Sequence, residues 1–390
     1  MKQVTCLSCN SENVEDFFTV KNAPVQSVLT VKTYDEAIAV PKNDITLTFC
    51  NNCGFIFNST FDTGIDYYTK GYEDQQGFSG RFVEFITAIS NQLIKKYDVE
   101  NKNIVEIGCG KGEFLQLICK LGNNKGIGID PAYVPGRLEP NPNVRFINEF
   151  YSEKHGDLPM DVIVCRHTLE HIYKTNNFIH TIRTSVKNKK KVTVFIEVPN
   201  ITRILDICAF WDIFNEHCSY FSAGSLAKLL RLNKFEVLDI QLEYDNQYLL
   251  LVAQTTDRIL DTPHELEESI DELKSYLQKF VVTINKQLAY WRKQLQQMKT
   301  DNKKVVIWGG GSKSVGFLTQ VDDLKLIKHV VDINPHIQGN YIPGIGIQYV
   351  SPKNLLKIVP DTVIVMNGIY KDEIGKMLSD MNLEPELICL

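Results

Sequence analysis

The chain has 390 residues, with 42 Lys and Arg against 47 Asp and Glu, a net charge of −5 and 44% hydrophobic residues. That length exceeds one ordinary core and predicts two or three domains. Mild acidity without a basic block argues against a nucleic-acid partner. No stretch is apolar for long enough to span a membrane, and Met1-Lys2-Gln3-Val4-Thr5 lacks a signal-peptide core, so a cytoplasmic protein without a membrane partner is expected.

In a reducing compartment ten cysteines need an explanation other than disulfides. Four of them form two pairs, Cys6-Leu7-Ser8-Cys9 and Cys50-Asn51-Asn52-Cys53, the second followed by Gly54. Two such knuckles complete a tetrahedron around one ion. With all four ligands supplied by the chain, a zinc held by Cys6, Cys9, Cys50 and Cys53 is structural rather than catalytic. The other six, Cys109, Cys119, Cys165, Cys208, Cys218 and Cys389, read as core residues. Residues 1–65 are expected to form this small zinc-binding domain, with strand-like runs at Val28–Val31 and Ile45–Phe49, too small to fold without its metal. A tyrosine-rich connector, Tyr67-Tyr68-Thr69-Lys70-Gly71-Tyr72, leads to a helical pattern over 81–97.

The apolar run Ile104-Val105-Glu106-Ile107 enters Gly108-Cys109-Gly110-Lys111-Gly112 and then a helical pattern from Glu113. A second strand ends at Asp130. Glycines let the backbone approach a ligand closely, and an acid at the neighbouring strand tip is placed for a ribose diol. The spacing differs from the dinucleotide fingerprint G-x-G-x-x-G. Glu106 would repel a pyrophosphate, but it suits the cationic amino-acid end of S-adenosylmethionine. The segment resembles the first two motifs of class I S-adenosylmethionine-dependent methyltransferases.

Strands at 103–107, 125–129, 144–147, 161–165, 192–198, 235–242 and 247–254 alternate with helical patterns and predict a doubly wound parallel sheet, the last two strands forming an antiparallel edge pair. Chemistry belongs at the carboxyl ends of such strands. Three clusters fall there: Cys165-Arg166-His167-Thr168-Leu169-Glu170-His171, Glu197-Val198-Pro199-Asn200, and Phe214-Asn215-Glu216-His217-Cys218-Ser219-Tyr220-Phe221. His217 beside Glu216 is the pairing a general base needs. The run Lys187–Lys191 reads as a solvated turn.

Residues 263–300 predict one long or two shorter amphipathic helices that connect to the next domain. A second strand–glycine–helix unit follows, Val305-Val306-Ile307-Trp308-Gly309-Gly310-Gly311-Ser312, with further strands ending at Asp332 and Met366. This is a smaller Rossmann-like domain. Its glycine spacing disfavours a second dinucleotide; it holds a phosphate or diphosphate near Gly310, Gly311 and Ser312, or is an empty structural turn.

As a whole the chain resembles bacterial sugar C-methyltransferases. The likeness rests on the paired knuckles, Glu106–Gly112, Leu169-Glu170-His171-Ile172, Glu216-His217-x-x-Tyr220-Phe221-Ser222, and Asp332-x-Asn334-Pro335-x3-Gly339-x3-Pro343-Gly344. It implies a zinc domain at 1–65, a methyltransferase domain at 66–258, and a helical connector with a Rossmann-like domain at 259–390. It further implies C-methylation of a nucleotide-linked keto-deoxysugar, by enolate formation and in-line methyl transfer. The catalytic set would be His217 as base with Glu216 and His171, and His171 or Tyr72 as donor to the enolate oxygen. Cofactor binding would fall to Glu106, Gly108, Cys109, Gly110, Gly112 and Asp130, with Arg166 and His167. Two departures lie on the substrate side. Phe214 stands where the family often has tyrosine, and Tyr244-Asp245-Asn246-Gln247-Tyr248-Leu249 replaces a His-Gly-Gly-Ser-Leu-Arg segment. They keep O- or N-methylation of a sugar nucleotide or related small molecule as the alternative, with a non-catalytic cofactor-binding scaffold behind it. The oligomeric state stays open, a monomer included.

Overall fold

The computed structural model describes every residue except 1–3, 66, 68–70, 190, 261 and 324. Met1–Gln3, Tyr68-Thr69-Lys70 of the connector and Lys190 of the lysine run therefore lie outside the described residues. Three sheets organise the rest.

The first begins with β1 (Val14–Pro24), α1 (Tyr34–Ala39), β2 (Lys42–Cys50) and β3 (Ile56–Asn58). Val28–Val31, expected as a strand, makes only isolated bridges, Leu29 to Tyr72 and Val31 to Tyr341. The backbone there pairs with two distant segments and so never builds a ladder. The sheet also does not close within residues 1–65. Its fourth strand is β9 (Ser219–Tyr220), which lies against Ile56 and Phe57. The N-terminal segment is thus tied into the middle of the chain by backbone hydrogen bonds.

The middle of the chain supplies α2 (Gly80–Tyr97), β4 (Asn103–Ile107), α3 (Glu113–Leu121), β5 (Lys125–Ile129), β6 (Val144–Ile147), β7 (Val162–Arg166), α4 (Thr175–Ser185), β8 (Thr193–Pro199), α5 (Ile201–Asp206), α6 (Ala223–Leu232), β10 (Phe235–Glu243) and β11 (Tyr248–Thr255). The strand order is β10-β11-β8-β7-β4-β5-β6. β10 and β11 form the expected antiparallel pair at one edge, β11 also running antiparallel to β8, and β6 is the other edge. The reversal is made by Tyr244, Asp245 and Asn246, all at positive φ. Helix α2 buries Phe82, Phe85, Ile86, Ile89 and Leu93, the face its periodicity predicts.

Helix α7 (Ile270–Thr300) is one 31-residue helix opened by a Ser269/Glu272 capping box. Its buried stripe runs through Leu273, Leu277, Phe280, Ile284, Trp291 and Leu295. Val281, expected on that stripe four residues after Leu277, is nevertheless exposed, since the buried stripe leans to the Phe280 side of the helix. The last sheet follows: β12 (Val305–Trp308), α8 (Ser312–Val321), β13 (His329–Val331), β14 (Gln348–Val350), α9 (Leu355–Ile358), β15 (Thr362–Val365), α10 (Lys371–Asp380) and β16 (Glu386–Cys389). Its order is β14-β13-β12-β15-β16, with every pairing parallel.

Far from being a plain connector, α7 joins two bodies. Phe280 packs edge-on against Phe18 of β1 at 5.2 Å, and Trp291 against Phe317 of α8 at 5.1 Å. Phe280→Ala removes a fully buried ring between β1 and α7. We expect it to cost about 3–5 kcal/mol, measured by urea denaturation.

Candidate active site

β4 runs into a turn whose three glycines, Gly108, Gly110 and Gly112, have φ of +71°, +53° and +88°. A Cβ on Gly108 would lie 2.0 Å from Thr168 Oγ1, and one on Gly112 2.5 Å from the Phe146 ring. Gly110 differs: the nearest atom to its Cβ position is a carboxylate oxygen of Asp74, 3.6 Å away. That position is a cradle. At the tip of β5, Asp130 accepts the Gly110 N–H at 2.8 Å and the Ala132 N–H at 2.6 Å. The two bonds orient the carboxylate and lock the turn. Glu106 is buried, and its Oε2 has no hydrogen-bond partner among the described residues. Burial pushes its carboxyl up to about 8 despite the pull of Arg166. A buried carboxyl oxygen without a donor suits a cationic ligand group. Cys109 is buried, its thiol filling the space beside Gly128.

Residues not singled out from sequence complete this side. Lys111 is buried; its Nζ donates to the Tyr72 carbonyl at 2.9 Å and lies 3.6 Å from Asp74. Tyr133 stacks on Phe146 at 4.0 Å. Lysine within the glycine turn was the available signal; the aromatic pair had none, since its members sit on different elements.

Arg166 and His167, expected at the cofactor, both pair with Glu197. Arg166 donates to both oxygens of Glu197, at 2.6 and 3.1 Å, under the Phe114 ring. His167 places Nε2 2.9 Å from Glu197 and Nδ1 3.4 Å from Glu170. Burial would raise the Glu197 carboxyl, but Arg166 and His167 hold it at about 2. Both ring nitrogens of His167 face carboxylates, so this residue stands between the cofactor turn and the cavity beyond.

That cavity, about 350 Å³, opens between the carboxyl ends of the two parallel sheets. His167, Glu170, His171, Phe214, His217 and Tyr72 line it from one side, and Gly309–Lys313, Asp332, Asn334 and Tyr349 from the other. Glu170, His171 and His217 bring side-chain donor atoms within 4.8 Å of one another. His171 Nδ1 meets the Glu216 carbonyl at 3.0 Å; a carbonyl only accepts, so Nδ1 carries the proton. The His171 and His217 rings meet edge-on at 4.8 Å, and Phe214 lies 4.1 Å from His217. His217 is held well below its ordinary value by burial, and further by His171, His167 and Lys313. Its Nδ1 is buried without a hydrogen-bond partner among the described residues.

The expected carboxylate–imidazole pairing of Glu216 with His217 is not made. The Glu216 carboxylate turns to Ser27, accepting from its N–H and from its hydroxyl at 2.9 and 2.8 Å. Burial pushes Glu216 up to about 7. Ser27 in turn contacts Ser312 Oγ at 2.7 Å, which joins the N-terminal segment, the middle sheet and the second glycine turn. That turn repeats the device of the first: Asp332 accepts the Gly310 N–H at 2.6 Å and the Asn334 N–H at 2.7 Å.

The four cysteines come together as expected. Cys6 and Cys53 sulfurs are 3.6 Å apart, as are those of Cys9 and Cys50, and the four sulfurs all lie within 4.8 Å of one another. Ligands about 2.3 Å from a tetrahedral zinc sit about 3.8 Å apart, so the four thiols suit such an ion.

Residues 79–240 match the family described as a methyltransferase domain, and residues 253–384 the family described as a C-methyltransferase C-terminal domain. The chain is an S-adenosylmethionine-dependent methyltransferase of class I architecture. Together the two matches span most of the chain and make it similar to C-methyltransferases. It is 25% identical to the C-methyltransferase NovU of Streptomyces niveus, over 70% of this chain and 67% of that protein. It is also 31% identical to a ubiquinone biosynthesis O-methyltransferase of Hydrogenovibrio crunogenus, over 28% of this chain and 49% of that one. Among solved structures, magnesium protoporphyrin IX methyltransferase from Synechocystis PCC 6803 aligns with a TM-score of 0.35 at 14% identity, covering 47% of this chain and 91% of that one. The Gly110 cradle and the unpaired Glu106 oxygen fit the cofactor's cationic amino-acid end. Glu106→Gln is expected to weaken S-adenosylhomocysteine binding at least tenfold, about 1.4 kcal/mol, in titration calorimetry; an unchanged Kd would remove Glu106 from the cofactor site.

Proposed function

We propose that this enzyme methylates carbon next to the ketone of a nucleotide-linked keto-deoxysugar, with His217 as the base. The observation that carries this reading is His217 itself: a buried imidazole held neutral on the wall of the cavity between the two sheets. The cofactor supplies the electrophilic methyl; the chain holds the acceptor, removes its proton and excludes water. A hydrogen beside a ketone is within reach of an imidazole base once the enolate oxygen is stabilised by a donor. We assign that donor to Tyr72, because neutral His171 spends its one proton on the Glu216 carbonyl and presents Nε2 as an acceptor. Glu216 acts through the shape of the turn that carries His217, since its carboxylate is committed to Ser27. Cofactor contacts are assigned to Glu106, Gly108, Cys109, Gly110, Gly112 and Asp130, with Arg166 and His167 behind them. Relationship to NovU, named a C-methyltransferase, supports the carbon acceptor.

The nucleotide diphosphate belongs on the opposite wall. The amides at the start of the 10-residue helix α8 have no side-chain cap, and a Cβ on Gly311 would meet nothing within 4 Å. Cys6, Cys9, Cys50 and Cys53 are read as the ligands of a structural zinc, which would lock both knuckles against the middle sheet. Metal analysis is expected to find one tightly held zinc per chain, lost in Cys50→Ser together with soluble yield. No helix among the described residues is long and apolar enough to cross a membrane.

Purified protein given S-adenosylmethionine and keto or reduced nucleotide sugars in heavy water should add a methyl only to keto forms. Deuterium should appear beside the ketone. His217→Ala should lower kcat at least a hundredfold while cofactor affinity is kept. Methyl gain on reduced forms without exchange would instead establish O-methylation.

A further inference from the structure

His167 sits at an unusual point. It follows the last residue of β7, and its φ of +47° is a left-handed conformation that a residue with a Cβ seldom adopts. Its N–H donates to the Glu197 carbonyl at 2.9 Å, which pins the strained backbone to β8. The strain aims the ring so that Nε2 meets one carboxylate, Glu197, and Nδ1 another, Glu170. The Nε2 contact is a hydrogen bond and the Nδ1 contact, at 3.4 Å, an ion-pair approach; carboxylates do not donate, so the doubly protonated ring suits both. The side chain still reaches the cavity that His217 lines.

We propose that His167 is a positioning residue: clamped as an imidazolium between Glu170 and Glu197, it keeps the neighbouring His217 unprotonated and able to accept a proton. The proposal rests on His217 being the base. Burial alone would discharge His167, yet the two carboxylates hold it up at about 9. Its charge then acts on His217, as does that of Lys313, after burial itself.

The groups around the pair account for the balance. Facing His167 are Glu197 from β8, Glu170 from the turn after β7, and Tyr248 from β11, whose ring lies 4.5 Å away. Arg166 shares Glu197, and Glu106 at the end of β4 adds to the field on Arg166. Facing His217 are Glu170, within 4.8 Å of it and offset by the charge of His167, then His171, Tyr220 and, from α8, Lys313, which is paired with Asp212. The Glu216 carboxylate is turned away to Ser27. With Arg166 and His167 both charged, the two carboxylates Glu197 and Glu170 are matched, and no net charge is buried at this end of the sheet.

The test reads the rings directly. In protein labelled with nitrogen-15 histidine, His167 should show two protonated nitrogens at pH 7.5, and His217 one protonated and one bare. In His167→Gln the His217 titration midpoint should rise by at least one pH unit, and in His167→Arg it should stay near the original. The acid limb of kcat/KM should move to higher pH in His167→Gln alone, by as much as the His217 midpoint moves, with activity recovered above it. A bare nitrogen on His167 at pH 7.5 overturns the proposal even if the variants fail to fold. An unmoved His217 midpoint, or a loss equal at every pH, also overturns it. Failure of the base assignment is seen separately, as an active His217→Ala.

Discussion

Ionised side chains buried at the end of a sheet must be matched, and here that constraint shapes the site. Arg166, Glu197, His167 and Glu170 form one chain of opposite charges, with Glu197 fully buried at its centre. Breaking such a chain at any link strands a charge in a low-dielectric interior. The chain lies where β7 and β8 end, so the register of those two parallel strands, Arg166 beside Glu197, is what brings the partners together. Two of its members, His167 and Glu170, also line the cavity.

Both glycine turns use the same local physics. A strand-tip aspartate accepts an N–H from the glycine turn beside it and another from two residues beyond itself, Asp130 in the first unit and Asp332 in the second. Each aspartate thereby holds the turn in the shape that leaves backbone amides available. The units then diverge. The first turn is backed by the unpaired carboxyl of Glu106 and suits a cation, whereas the second opens α8 without a cap and suits an anion.

The cavity between them exists because the N-terminal segment does not stand apart. Its sheet takes a strand from the middle of the chain, its Phe17 and Phe18 pack on α7, and its Ser27 reaches both Glu216 and Ser312. Further ties close the opposite rim, including Ser79 with Glu373 and a doubled amide contact between Gln247 and Asn367. Phe214, Gln247 and Tyr248 line these walls. Phe214 packs against His217, and Tyr244 at the β10–β11 turn bonds to Tyr370.

Much of this was legible in the amino-acid sequence because it is set by spacing over a few residues. Glycines between a strand and a helix, an acid closing the next strand, two cysteine knuckles, and the periodicities of α2 and α7 each carry their own geometry. What only the tertiary structure decided is which charged group meets which. Glu216 lies next to His217 in the chain, yet its carboxylate finds a serine 189 residues away. His167 meets Glu197 because a parallel strand offers it at the matching level. Side-chain partners in a buried site are chosen by strand register and by the cost of leaving a charge unpaired, and neither is a property of neighbouring residues.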